Sequence, residues 1–375
     1  MAAILLSLGA AALLSACGSS GGSSSGSQTA PNGGESAMAT VPAPPTTALT
    51  EMPITEPTKP PAPHEHVVWL ACNLPTCQHD LSAGYRKGAA ALGWDFEQMT
   101  YESAEPAKAV QNAVNKDPDI IFITGVPVAA FEAQDKEAVE KGIKIFTGFD
   151  PETKPEPKTN GVYMDFLNAN GFAVQSKELA DWIINDSGGD AHVVSVQIPE
   201  YPALTKSTES FAEELTSRCS ECSDESLDVT SEELGAGKGP AKVIAYLQQK
   251  PETNYIEYAA PELETGVEAA LEAASLGENP KSTGIAATST VVQEIAEGKQ
   301  AAWTTQSQEF DGWMSVDGAV RTVEGLPLTK YQASGDAPAW VVDSKPAAEK
   351  ILEEGGEWPG PAGFPQKFEE LWGVR

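Results

Sequence analysis

Two rhythms of apolar residues alternate along the chain from about residue 66. One is the short, mainly apolar run, as in VVWLA (67–71), DIIFIT (119–124) and IKIFTGF (143–149), which reads as a strand covered on both faces. The other is a longer stretch of helical period: Leu81, Tyr85, Ala89 and Leu92 fall on one helix face. With DFEQMTY as a further strand and helices over 107–115 and 128–141, the first half reads as alternating strand and helix. The grammar then repeats. NGVYMDF is followed by a helix over 168–185, strand HVVSVQI (192–198), a helix over 203–217, strand ESLDVT, a helix over 241–250, strand YIEYA (255–259) and a helix over 263–274. Such alternation predicts an α/β fold of two similar doubly wound, parallel-sheet domains. Ligands of such sheets sit beyond the carboxyl ends of the strands. Here those ends are 73–78, 125–128, 149–150, 199–202 and 260–262. Two domains facing each other would bury a small ligand in the cleft between them and close on it by a hinge.

The chain before residue 66 has neither rhythm. Residues 1–16 are almost all small or apolar, too short to span a bilayer but suited to the core of an export signal. Leu14, Ser15, Ala16 and Cys17 resemble the lipobox of bacterial lipoproteins, which implies that the Cys17 thiol carries a lipid and becomes the mature first residue. No Lys or Arg precedes the apolar run, so the usual basic start is missing. From residue 17 to 65 the composition is Gly and Ser, then Pro, Thr and Ala, and this tract is expected to be a disordered linker reaching on the order of 40 Å.

Charge narrows the function. The chain carries 54 acidic against 24 basic residues, a formal charge of -30, so a nucleic-acid groove or an anionic-lipid patch would be repelled by its own surface. Attachment to a membrane would be through the lipid alone. Apart from Cys17 the cysteines fall in two close pairs, Cys72 with Cys77 and Cys219 with Cys222. Two local disulfides suit an exported chain. A four-thiolate zinc site would need distant pairs to converge, and a redox motif in CSECSDES would have acidic neighbours that oppose a thiolate. No metal or other cofactor is expected. The sequence has no Gly-rich phosphate loop, no HExxH and no GxSxG, and its four histidines are scattered, so catalysis is not expected.

The order VVWLACNLPTCQHDLSAGYRKGAAALGWDF, then DPDIIFITGVPVAAFEAQDKEAVEKGIKIFTGFD, and later EIAEGKQAAWTTQSQEFDGWMSVDGAVRTVEGLPL, resembles the type I periplasmic binding proteins, the ribose-binding and LacI-like group that includes substrate-binding lipoproteins of bacterial ABC importers. The match runs from about residue 66 to 345. It implies a three-segment hinge near Asp150, Gln306 and Lys330, with residues 66–149 plus 307–329 as lobe I, 150–306 plus 330–345 as lobe II, and 346–375 as a C-terminal extension. It further implies a monomer on the extracytoplasmic face of the membrane, delivering a small molecule to a permease and ATPase. The alternative is the ligand-binding component of a sensor.

The resemblance also implies where the ligand would touch. Sugar binders of this family hold hydroxyls with Asp, Arg and Asn side chains. At the matching positions this sequence has Val126 to Val128, Thr205, Ala260, Pro261 and Ala286, all neutral. The positions that remain polar or aromatic give the candidate ligand set: Asn73, Gln78, Phe149, Asp150, Tyr163, Tyr201, Glu262 and Gln306. A buried hydroxyl with no partner costs a few kcal/mol, so a less hydroxylated solute is expected. Trp303 and Trp340 are read as core.

Overall fold

The computed structural model describes residues 41–46, 50–102, 104–276, 280–334, 339–356 and 360–375. The expected export signal (1–16), Cys17 and the linker up to residue 40 lie outside the described residues. Eleven strands are found among the described residues: β1 His66–Cys72, β2 Asp95–Tyr101, β3 Ile120–Thr124, β4 Lys144–Gly148, β5 Val162–Phe166, β6 His192–Gln197, β7 Ser223–Asp228, β8 Tyr255–Tyr258, β9 Lys281–Gly284, β10 Ala302–Thr305 and β11 Trp340–Val342. They form two sheets, in the orders β2-β1-β3-β4-β5 and β11-β10-β9-β8-β6-β7. All neighbours are parallel except β11, which runs antiparallel to β10. The fold is therefore two α/β lobes, each built on a mainly parallel sheet.

The apolar runs behave as their period requires. In β1, Val67 and Trp69 join one core cluster while Val68 and Leu70 join another, so helices cover both faces. Trp69 lies opposite Phe122, and Phe122 opposite Phe146, making an aromatic row across three strands. Two helices, Ser82–Ala91 and Gln308–Val323, cover this row at very close range. A Cβ at Gly84 would stand 2.2 Å from the Glu309 carbonyl oxygen, and one at Gly312 2.6 Å from the Tyr85 nitrogen. Glycine at both positions is what lets the two helices touch.

The chain passes between the lobes at places that differ in part from expectation. The crossing expected near Asp150 falls instead after Phe166, because β5 pairs with β4 and completes the first sheet. A five-residue apolar run reads alike whichever sheet it joins, so periodicity alone does not assign it. Leu167, with φ of 55°, turns the chain into the helix Asn168–Ser187, which packs on Pro202–Arg218 of the second lobe. The next passage lies between β10 and Gln308–Val323, whose first turn is capped by Ser307 Oγ accepting from Phe310 N at 3.2 Å. Helix Lys330–Ser334 packs on β5, after which β11 pairs with β10.

Both ends of the chain add to this frame. Helix Lys345–Glu353 packs on Ser289–Glu297 in the second lobe, whereas Phe364–Leu371 returns to the first lobe. There Trp372 stacks on Trp313, with centroids 5.4 Å apart, and Phe368 stacks on it at 5.9 Å. Residues 41–46 and 50–65, expected to belong to a disordered linker, are laid along both lobes. Val41 is buried with Leu179 and Ile183, the Pro45 carbonyl accepts from Val341 N, Ile54 is buried in the first-lobe core, and Thr58 N donates to the Leu371 carbonyl. Few apolar groups are needed for this, because an extended Pro-rich chain offers its carbonyls as acceptors.

Candidate functional site

Several strands of the two sheets end facing one narrow cavity of about 80 Å³. From the first lobe come Thr124 and Gly125 after β3, Phe149 after β4, and the loop after β1 with Cys72, Leu74, Thr76 and Cys77. From the second come Tyr201 and Leu204 after β6, Ala259 to Pro261 after β8, Ala286 after β9, and Phe172 from the first turns of Asn168–Ser187. Cys72 and Cys77 are joined by a disulfide in the structure, as are Cys219 and Cys222, so the first bridge forms part of the cavity wall.

Backbone geometry at these ends is unusual. Phe149 and Ala286 have φ of 56° and 58°, a left-handed conformation that costs a non-glycine residue on the order of 1 kcal/mol. One such residue stands at a strand end in each sheet, both on the cavity wall. The Phe149 ring stacks on Phe172 with centroids 4.4 Å apart, so a residue from each lobe meets across the cleft. The turn after β3 is eased by Gly125, at φ of 81°, where a Cβ would meet the Tyr101 hydroxyl and the Tyr201 ring. Tyr101 Oη donates to the Thr124 carbonyl at 2.5 Å, and its burial pushes the phenol far above its ordinary range.

Polar contacts gather at one rim. Tyr201 Oη donates to Asn73 Oδ1 at 2.5 Å. Thr76 N and Oγ1 both donate to Glu262 Oε1, at 3.1 and 2.9 Å. Elsewhere the wall is mainly apolar, with Thr124 and Gln308 as its other polar residues. Ala260, Pro261 and Ala286, three positions where sugar binders are expected to carry charged or amide groups, line the cavity.

The eight candidate residues are not all brought together. Phe149 and Tyr201 line the cavity, and Asn73 and Glu262 stand at its rim as hydrogen-bond partners across the lobes. Gln78 braces the first lobe: its amide donates to the Cys72 carbonyl, and its Oε1 accepts from Gln98 and Thr100. Asp150 and Tyr163 line a different cavity of about 550 Å³, together with Asp165. There Asp150 Oδ1 accepts from the Glu152 and Thr153 amides, while burial first and the Asp150 charge second push Asp165 well above the carboxylate range. Gln306 is buried where the chain leaves β10. Trp303 and Trp340 lie in the core, Trp303 stacked on Tyr258.

Sequence reading passed over Leu74, Thr76, Phe172 and Leu204. The first two fall inside a strand-end segment that it marked, so only the choice of residue was missed. Phe172 and Leu204 project from helices, and no strand-end rule points to them. Among the described residues no group of three or more His, Cys, Asp or Glu side chains is placed to hold a metal ion. No helix among them is long and apolar enough to cross a membrane.

Comparison with known proteins places this geometry. A family model described as a periplasmic binding protein domain matches residues 78–327. A solved 5-methylthioribose transporter solute binding protein from Thermotoga lettingae, in complex with 5-methylthioribose, superposes with a TM-score of 0.66 at 18% identity, covering 84% of this chain and 99% of that one. A carbohydrate transporter from Acidothermus cellulolyticus, in complex with myo-inositol, gives 0.63 at 19% identity, covering 78% and 99%. A periplasmic ribose ABC transporter structure from Conexibacter woesei gives 0.61 at 18% identity, covering 78% and 96%. The search of curated proteins returned no match. With two thirds of the chain under the family model and two lobes meeting over a cavity at their strand ends, the chain belongs to the type I periplasmic binding proteins.

Proposed function

We propose that this protein is an extracytoplasmic solute-binding lipoprotein that captures a small, sparsely hydroxylated molecule between its lobes and delivers it to the permease and ATPase of an ABC importer. The observation that carries the reading is the cavity between the lobes, whose wall of Leu74, Phe149, Phe172, Leu204, Ala260 and Ala286 offers few partners to a polyol. A hydroxyl taken into such a wall loses its water and gains little. The related structures favour a transporter over a sensor, since they are of transporter proteins. One of them holds a ribose bearing a methylthio group, a sugar with an apolar end.

The rest of the reading comes from the sequence. Lipid on the Cys17 thiol holds the protein at the outer face of the membrane, and the chain works as a monomer without a cofactor. An oxidising exterior keeps both disulfides closed. The role is binding, not catalysis.

A thermal-shift screen tests this, because a solute that binds only the folded protein raises its melting temperature by mass action. The panel is ribose, myo-inositol, 5-methylthioribose, aromatic carboxylic acids, nucleosides and alkyl amines. Melting should rise for compounds with an apolar ring or chain and stay unchanged for myo-inositol. A rise confined to ribose and myo-inositol would show that the cavity accepts polyols after all.

A further inference from the structure

A solute rich in hydroxyls can draw two lobes together by hydrogen-bonding to both. An apolar solute offers only the surface it buries, so the directional bonds that hold the cleft closed have to come from the protein. The loop from Cys72 to Cys77 supplies them. It follows β1 of the first lobe, yet its polar atoms reach the second. Asn73 Oδ1 accepts from Tyr201 Oη at 2.5 Å, and Thr76 N and Oγ1 donate to Glu262 Oε1 at 3.1 and 2.9 Å. These partners are 128 and 186 residues away in sequence, after β6 and β8.

The same loop is braced on its own lobe. Asn73 Nδ2 donates to Glu102 Oε2 at 2.6 Å, the Gln78 amide donates to the Cys72 carbonyl, and the disulfide leaves only four residues between its ends. A short closed loop loses little conformational freedom when its outer edge is engaged.

We propose that the Cys72–Cys77 loop is a latch that closes the cleft without help from the solute, with Asn73 and Thr76 as positioning residues on one lobe and Tyr201 and Glu262 as their catches on the other. The proposal rests on the reading of the cavity as the solute site. The latch raises the population of the closed form, and a solute bound only in that form gains affinity in proportion. The disulfide keeps the loop in the one shape that meets both catches, so reducing it releases the lobes.

Small-angle X-ray scattering of the full chain with no solute added tests the latch directly. The natural protein should scatter as the closed form. Tyr201→Phe combined with Glu262→Ala should shift the radius of gyration upward, with secondary structure by circular dichroism unchanged. Reduction by a phosphine in a Cys219→Ser, Cys222→Ser background should give the same shift, which provides a second reading if the double variant fails to fold. Unchanged scattering on reduction or in the double variant overturns the latch, as does a natural protein already open before either change. Because no solute is present, a failed thermal-shift screen leaves this result standing, and a failed latch leaves the solute reading standing.

Discussion

Asp317 is fully buried, yet it accepts from Arg321 Nε at 2.7 Å, Gln332 Nε2 at 2.9 Å and Trp372 Nε1 at 2.8 Å. Arg321 in turn donates to the Glu56 carbonyl at 2.5 Å. One carboxylate thus ties together the helix Gln308–Val323, the short helix Lys330–Ser334, the N-terminal strap and the C-terminal extension. Removing one partner from such a pair leaves a charge buried alone. Arg321→Ala should therefore cost about 3–5 kcal/mol, read as a lower midpoint in urea unfolding. Glu257, also fully buried, behaves differently. Burial first and the neighbouring Asp224 second push its carboxyl up to about 8. A carboxyl raised on folding favours the folded state in its neutral form, so this contribution is complete below about 4.5, the usual value, and disappears as pH climbs through about 8. Glu264, raised to about 8 by burial and then by Glu294 and Glu268, has the same sign. Melting temperature should accordingly be higher at pH 5.5 than at pH 8.5, and Glu257→Gln should flatten the difference; a melting temperature that rises with pH across that window would contradict this.

At the scale of elements, the sequence was most legible where periodicity and burial agree. VVWLA, DIIFIT and IKIFTGF became β1, β3 and β4 because their apolar side chains are buried on one face or the other. What periodicity cannot carry is partner choice. NGVYMDF reads as a strand in either lobe, and only its pairing with β4 assigns it to the first. The strap was missed for a related reason. Residues 41–65 have almost no apolar pattern, and the few anchors they do have, Val41 and Ile54, are recognisable only by what they meet. Ile54→Ala should lower stability by about 2–5 kcal/mol, measured by chemical denaturation, whereas a free linker would tolerate the change without cost. The candidate site divides the same way. Strand-end residues such as Phe149, Tyr201 and the 73–78 loop were legible from topology, but Phe172 reaches the cavity from a helix, through the crossing after Phe166.

For the whole molecule, two sheets of similar grammar meet at their carboxyl ends over a cavity with aromatic and aliphatic walls, and the loop after β1 spans the gap. The formal charge of -30 keeps the outer surface soluble and repels phosphate backbones. It does not enter the cavity wall, where apolar side chains predominate. Such a wall should select solutes with few hydroxyls. Isothermal titration calorimetry at several temperatures, across compounds of similar size from myo-inositol and ribose to 5-methylthioribose and aromatic acids, tests it most directly. Affinity should fall as hydroxyl number rises, and the tightest binder should show a negative heat-capacity change, the mark of apolar surface leaving water. Tightest binding by myo-inositol or ribose, with a heat-capacity change near zero, would contradict it.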